Sequence, residues 1–519
     1  ENEEIKTDKT ANQSITVDGV GSCMEVMEND GDTSEVPTIL GNQLQGSPYS
    51  VSVMQQASIN LYGNSSGIAV NKLYVRFKPA NDDQLFTLEA LDLDLFDHPL
   101  DYEVLHQGDY YPQPGIGPDE IPWLYGIVDV GFQPPAGIQY EILQNVHIPD
   151  KDIWLEQEAF RITGNTMDDS CGIIVNRLPL PCDDPCNPGP GCPLPPPECG
   201  GGGDVPPDPR VPTGKLYVWD NRLDNGTGGQ GTIVPVRRIR VIARNFLKTE
   251  RVYTNDAGAF AFTKKFKKVH LIVKMKNNNT TIRGLFGFRI WNITWALKKN
   301  IGEYKGNLSN IQYTFFRQEN VKSRGMQDWV GITVFNKRMD FNGLSFQDNL
   351  PGTPAYLDMF ITSWASAAAA PMFPHRYPNN TELLELFARK YMINSISIPG
   401  GLAARLNNII RSRVDVVYGY NKPLSFLDSD DISEVIFHEL SHTQHYNKVG
   451  NNWWHNFVWA EMSEIFDYMG TRFDPYGPGN TGWPGKWPMN CGSLAVTFLM
   501  PTQELSPSIS MMRSTSRKG

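Results

Sequence analysis

In the stretch Asp431-Ile432-Ser433-Glu434-Val435-Ile436-Phe437-His438-Glu439-Leu440-Ser441-His442-Thr443-Gln444-His445-Tyr446, Asp431 and Glu434 have the spacing of a capping box. That spacing predicts a helix beginning there. Residues four apart on a helix lie one turn above each other on one face, so His438 and His442 present two imidazoles to one point. Two imidazoles so placed can ligate one zinc ion. Glu439 then sits close enough to a metal-bound water to take its proton. Burying His, Glu, His and a further Glu without a metal would be costly.

A third ligand is available at a suitable distance. Eighteen residues separate His442 from Glu461, and Phe457 to Met469 reads as a second helix, with Asn447 to Asn456 as the loop between. This arrangement resembles the gluzincin group of zinc metallopeptidases over about forty residues. The resemblance implies His438, His442 and Glu461 as ligands of Zn2+, Glu439 as general base, and a peptide or protein substrate. Other zinc patterns fit less well. A metzincin would have Gly at position 445 and His at 448, where this chain has His445 and Lys448. The aspzincin signature is missed by one residue at Asp474. Glu464 is a second candidate for the third ligand, or a supporting partner. Gluzincins commonly place an Asp four residues after the ligand Glu. Position 465 is Ile here, which leaves that role to Glu464 or Asp467. His445 either lines the cleft or is a partly exposed helix histidine. His455, Tyr446, Tyr468 and Tyr476 are candidates for stabilising an oxyanion. Trp453, Trp454 and Trp459 form either a substrate wall or core.

Outward from this motif, residues 286–519 read as an α+β domain, with helices over Thr381 to Ile393 and Gly401 to Arg411 and a strand over Arg413 to Tyr420. Residues 213–285 read as a compact β module. Its strands are Lys215 to Trp219, Ile239 to Ala243 and Val269 to Val273, with a turn from Thr254 leading into a strand ending at Phe262. This order resembles the carboxypeptidase regulatory-like, transthyretin-type sandwich, which implies a spacer or docking unit. Residues 179–212 are a linker. Pro181 to Pro190, Pro195-Pro196-Pro197 and Gly200 to Gly203 leave no room for a helix or central strand. Residues 41–178 read as a β-rich domain of sandwich type, with strands at Lys72 to Lys78, Phe86 to Leu95, Leu124 to Val130 and Tyr140 to Val146. Residues 1–40 are acidic and aperiodic and read as a tether. The fold class is therefore multidomain: N-terminal β-sandwich-like domains and a C-terminal α+β gluzincin-like domain.

Charge is uneven along the 519 residues. Residues 1–178 carry 29 Asp and Glu against 8 Lys and Arg, a net −21; residues 213–285 carry 4 against 15, a net +11. Such blocks argue for modules with different surfaces. The basic block carries no nucleic-acid motif, and the acidic neighbour is the simpler partner. Docking held by exposed charge would loosen as salt rises. Asp92, Asp94, Asp97 and Asp101 read as the wet face of a strand or, alternatively, as calcium ligands. Cys182, Cys186, Cys192 and Cys199 are separated by three, five and six residues. That spacing favours disulfides of an exported protein over a four-cysteine zinc site. Cys23, Cys171 and Cys491 bring the count to seven, so at least one cysteine stays outside an intramolecular bridge.

No window of eighteen apolar residues predicts a membrane-spanning helix. The start, Glu1-Asn2-Glu3-Glu4, lacks a signal peptide and reads as a mature form. It resembles the stretch after the lipidated cysteine of Bacteroidota surface lipoproteins. That likeness implies export, an outer-membrane or cell-surface location, and membrane contact through a lipid anchor preceding residue 1. Two functions follow as expectations: a zinc-dependent peptidase, or a non-enzymatic subunit of an outer-membrane protein complex with a structural or vestigial zinc site.

Overall fold

The computed structural model describes residues 22–25, 36–117, 120–165, 208–222, 231–284, 294–366, 368–372, 409, 412–454 and 456–457. The chain is a mixed α/β protein with several separate sheets. It forms two compact units, one containing the described residues through Ile332 and the other those from Thr333, except Ile409, which belongs to the first.

The first unit opens with an edge strand, β1 (Ser22–Glu25), within the stretch read as a tether. The N-terminal module follows: β2 (Ile39–Gln43), α1 (Val51–Tyr62), β3 (Lys72–Lys78), α2 (Asp82–Ala90), β4 (Tyr102–His106), β5 (Leu124–Asp129), β6 (Gln139–Val146) and α3 (Ile153–Ile162). The order β5-β3-β6 makes an antiparallel sheet, and β2 pairs with β4. The module is thus not all-β. The strand expected over Phe86 to Leu95 is instead helix α2 and a turn. Asn81 caps that helix by accepting from the Gln84 N–H, and Asp82 and Asp83 in its first turn suit the positive end of the helix dipole. Leu85, Phe86, Leu88 and Glu89 are its buried residues, a helical rather than alternating set.

The central module comprises β7 (Thr213–Asp220), β8 (Thr232–Pro235), β9 (Arg240–Asn245), β10 (Lys248–Tyr253), β11 (Ala259–Ala261), β12 (Lys268–Lys274), β13 (Thr280–Gly284), β14 (Lys298–Gly306) and β15 (Ile311–Phe315). One sheet runs β1-β14-β12-β9-β10; a second runs β11-β7-β15 with β8 also on β7. Residues read as the end of the linker belong to this body: the Pro209, Arg210 and Pro212 carbonyls accept from Leu308, Phe266 and Phe262.

Both faces of the β9–β12 pair are buried. Val241, Ala243, Leu271 and Val273 lie on one face. Ile242 and Ile272 lie on the other, in a cluster with Tyr49, Met54, Leu155 and Phe160 of the N-terminal module. Ion pairs surround this cluster. Glu156 accepts from Lys248 at 2.8 Å and from the Tyr49 hydroxyl at 2.6 Å. Glu89 receives both Arg283 terminal nitrogens at 3.0 Å. Asp92 meets Arg240 at 2.8 Å, Lys276 at 3.0 Å and Arg251 at 3.2 Å. Asp97 is buried beside His98, and Asp101 accepts from Tyr74. The alternating aspartates therefore make neither a wet strand face nor a calcium loop; Asp92 and Asp94 face the cations of β9 and β10. Acidic and basic blocks meet, and they meet in a buried seam.

The second unit holds most of helix α4 (Arg324–Gln347), strands β16 (Leu357–Thr362), β17 (Ala368–Ala369) and β18 (Val416–Gly419), and helix α5 (Ser429–Val449). β16 is parallel to β18 and β17 antiparallel to it. The helices expected over Thr381 to Ile393 and from Phe457 onward fall largely or wholly outside the described residues. So do all but Ile409 of Gly401 to Arg411. Side chains of all seven cysteines lie outside them as well.

Candidate metal centre

Helix α5 begins earlier than Asp431. Asp428 is the cap, its side chain accepting from the Asp430 and Asp431 N–H groups, while the Asp431 side chain accepts from the Asp428 N–H. The capping box is therefore Asp428 and Asp431, one step before the pair Asp431 and Glu434 that the sequence suggested. Ile432, Ile436, Leu440 and Thr443 are buried. Phe437 packs edge-on to Phe341, and Gln444 donates to Ser345 Oγ at 2.6 Å, which fixes the helix's rotation against α4. The helix ends at Gly450, whose φ of 77° is favourable for glycine. Residues 451–454 are helical again, so the expected loop is a short break.

That rotation brings His438 and His442 together, their Nε2 atoms 3.0 Å apart. Burial lowers both imidazoles below the usual histidine range. His442 is driven to about 3 by burial and then by His438 and His445. Both rings are thus neutral, the form in which imidazole donates a lone pair to a metal. Glu439, next to His438 on the helix, is buried and only 6% exposed. Desolvation pushes its carboxyl up to about 8, opposed by a hydrogen bond from the Ala370 backbone N–H. No cation pairs with it among the described residues. Ala370 directly follows β17, the last strand of its sheet.

His445 lies against aromatic rings, with centroids 4.6 Å from Trp453, 5.6 Å from Trp454 and 6.1 Å from Phe457. Trp454 is buried, whereas Trp453 is 37% exposed and stacks on Phe457. The Tyr446 hydroxyl donates to Asn451. Glu461, Glu464, Asp467, His455, Trp459, Tyr468 and Tyr476 lie outside the described residues. Among the described residues, no three His, Cys, Asp or Glu side chains converge as a metal-holding group. The Ala370 N–H was not foreseeable, because a backbone donor acts whatever its side chain.

Comparison of the chain with protein-family models, curated proteins and solved structures finds no match. No helix among the described residues is long and apolar enough to cross a membrane.

Proposed function

We propose that this chain is a gluzincin-like zinc peptidase. The observation that carries the reading is the pair of neutral imidazole nitrogens 3.0 Å apart beside a buried Glu439 that meets no cation among the described residues. The donor set fits zinc: two neutral imidazoles converge, and a carboxylate from Glu461 would complete three protein ligands. When bound, zinc supplies a Lewis acid for water and for the scissile carbonyl. Glu439 accepts the proton of the attacking water and delivers it to the leaving amine nitrogen as the C–N bond breaks. The Ala370 N–H holds the carboxylate in place. β17 has no strand on its outer edge among the described residues. An extended peptide can add there by main-chain hydrogen bonds, which favours a peptide substrate.

The same proposal includes a transthyretin-type sandwich over the central module and a lipid-anchored protein at the outer membrane, facing the cell surface. The test is metal analysis with a peptide-library assay. The wild type should hold one zinc per chain and hydrolyse peptides; His442→Ala and Glu461→Ala should lose the zinc. Unchanged zinc in both variants overturns the ligand set. Zinc without hydrolysis favours the non-enzymatic subunit of an outer-membrane complex.

A further inference from the structure

The seam between the N-terminal and central modules holds a partly open cleft with about 60 Å³ of accessible space, several times the roughly 10–15 Å³ that one water needs. The peptidase reading makes no use of it. Phe96, Leu124, Ile272 and Leu297 supply apolar lining; Lys274 and Asp94 supply opposite charges.

Those two charges differ from the others at the seam. Glu156, Glu89 and Asp92 are each hydrogen-bonded to a basic side chain. Lys274, at the end of β12, is 9% exposed, and its ammonium has no hydrogen bond or ion pair among the described residues. Its close neighbour is the Trp295 ring, with the centroid 5.5 Å away. Burial pushes its amine down to about 8, against the attraction of Asp94. Asp94 Oδ1 is buried and accepts no hydrogen bond; Arg240 and Arg251 stop at 3.8 and 3.9 Å. A buried polar group left without a hydrogen bond costs about 1–3 kcal/mol, and more when charged. Asp94 Oδ1 is such a group, and Lys274 brings the opposite charge to the same cleft, so a molecule carrying both complementary charges can engage the two together.

We propose that this cleft binds a small zwitterion with an apolar body, such as a free α-amino acid. Its carboxylate lies on Lys274, its ammonium on Asp94, and its hydrocarbon against Phe96 and Leu297. A simple anion would leave Asp94 unsatisfied, and a simple amine would leave Lys274 so.

Calorimetric titration of the full chain with L-leucine tests this. Two half-ligands serve as controls: 4-methylpentanoate, which lacks the amine, and 3-methylbutylamine, which lacks the carboxylate. Leucine should bind, and each half-ligand should bind at least about tenfold more weakly, as expected when one charge-assisted hydrogen bond is lost. Lys274→Met and Asp94→Asn should each weaken leucine to a similar degree, with melting curves confirming that both variants fold. Lys274→Gln serves if the Met variant does not. Glu439→Gln should bind leucine unchanged, which separates this site from the peptidase reading. Absence of binding by leucine, valine, methionine and phenylalanine overturns the proposal. So do half-ligands as tight as leucine, or affinities unmoved in the Lys274 and Asp94 variants.

Discussion

Glu156 and Glu439 are both glutamates buried on helices, 1% and 6% exposed, and they are treated in opposite ways. Glu156 has a lysine and a tyrosine hydroxyl within hydrogen-bond reach, supplied by β10 and by Tyr49, two residues ahead of α1. Glu439 has one backbone N–H and no cation among the described residues. Charge burial costs several kcal/mol per ion unless it is paired and hydrogen-bonded. At the seam the chain meets that cost locally, and the carboxylate serves to join two modules. On α5 it leaves the carboxylate unmatched beside two converging imidazoles. Perturbation by burial next to other titratable groups is what the proposed peptidase requires of its base.

Exchanging either glutamate for glutamine should separate the two roles. Glu439→Gln should lower peptide hydrolysis by about 10²–10⁴, the usual contribution of a general base. It should keep its zinc and melt close to the wild type, because the amide replaces a carboxyl that burial already pushes toward its neutral form. Equal turnover by the two proteins would remove Glu439 from the chemistry. Glu156→Gln should do the reverse. It strands Lys248 in the seam and should cost roughly 3–5 kcal/mol in denaturant unfolding, with turnover per folded molecule unchanged. Adding Lys248→Met to Glu156→Leu should recover most of that loss, since removing both charges removes both desolvation costs. A double variant as unstable as Glu156→Gln would mean that the ion pair is not what the seam depends on.

The seam also bears on salt. Raising ionic strength from about 0.1 to 1 M shortens the Debye length from ~10 to ~3 Å. Exposed docking charges would be weakened by that change. Lys248 and Glu156 are 0% and 2% exposed at the side chain, and Ile242, Leu247 and Ile272 contribute an apolar cluster. Hydrogen exchange at the β9, β10 and β12 amides of the full chain should therefore change by less than about 1 kcal/mol over that range. Marked loss of protection in high salt would show that screened charge, not burial, holds the modules together.

Much of the strand pattern was visible in sequence because it is local. Lys72 to Lys78 alternates as a half-buried strand and is β3. The helical spacing of His438 and His442 likewise placed them on one face of α5. What could not be read depended on distant partners. Leu91-Asp92-Leu93-Asp94-Leu95 has the period of a strand, yet its aspartates alternate with leucines where Asp92 reaches Arg240, 148 positions along the chain. Asp92 itself adopts φ 57°, which no periodicity announces. The helix before it is set by the Asn81 cap, a signal masked by the alternation that follows. At the candidate centre, residue types and spacing were legible, whereas the isolation of Glu439 was not. Isolation is a property of what surrounds a side chain.

The last expected effect concerns His98, a buried histidine held structurally. It is 0% exposed, with Nδ1 3.2 Å from Asp97 Oδ1 and Nε2 2.7 Å from Arg244 Nη1. An arginine only donates, so Nε2 must carry the lone pair and Nδ1–H must donate to Asp97. Protonating the ring would set an N–H against the guanidinium. Burial first, and then Arg244, push its pKa down to about 4. In the unfolded chain it titrates near 6.5. Between those values the unfolded state holds a proton that the folded state does not. The stability from neutral His98 is therefore full above about pH 6.5 and is lost as pH falls toward 4. Asp97, held below the usual carboxylate range by Lys298 and His98 against its own burial, loses its contribution only at lower pH. His98→Gln can keep both hydrogen bonds, accepting from Arg244 and donating to Asp97, without titrating. Urea unfolding at steps between about pH 4.5 and 7.5 should show the wild type losing on the order of 2 kcal/mol more than the variant across that range. His270, lowered by burial, titrates alike in both proteins and cancels in the difference. Parallel profiles would mean that the neutral ring assigned to His98 is wrong, and that its seam tolerates a charge as Glu156 does.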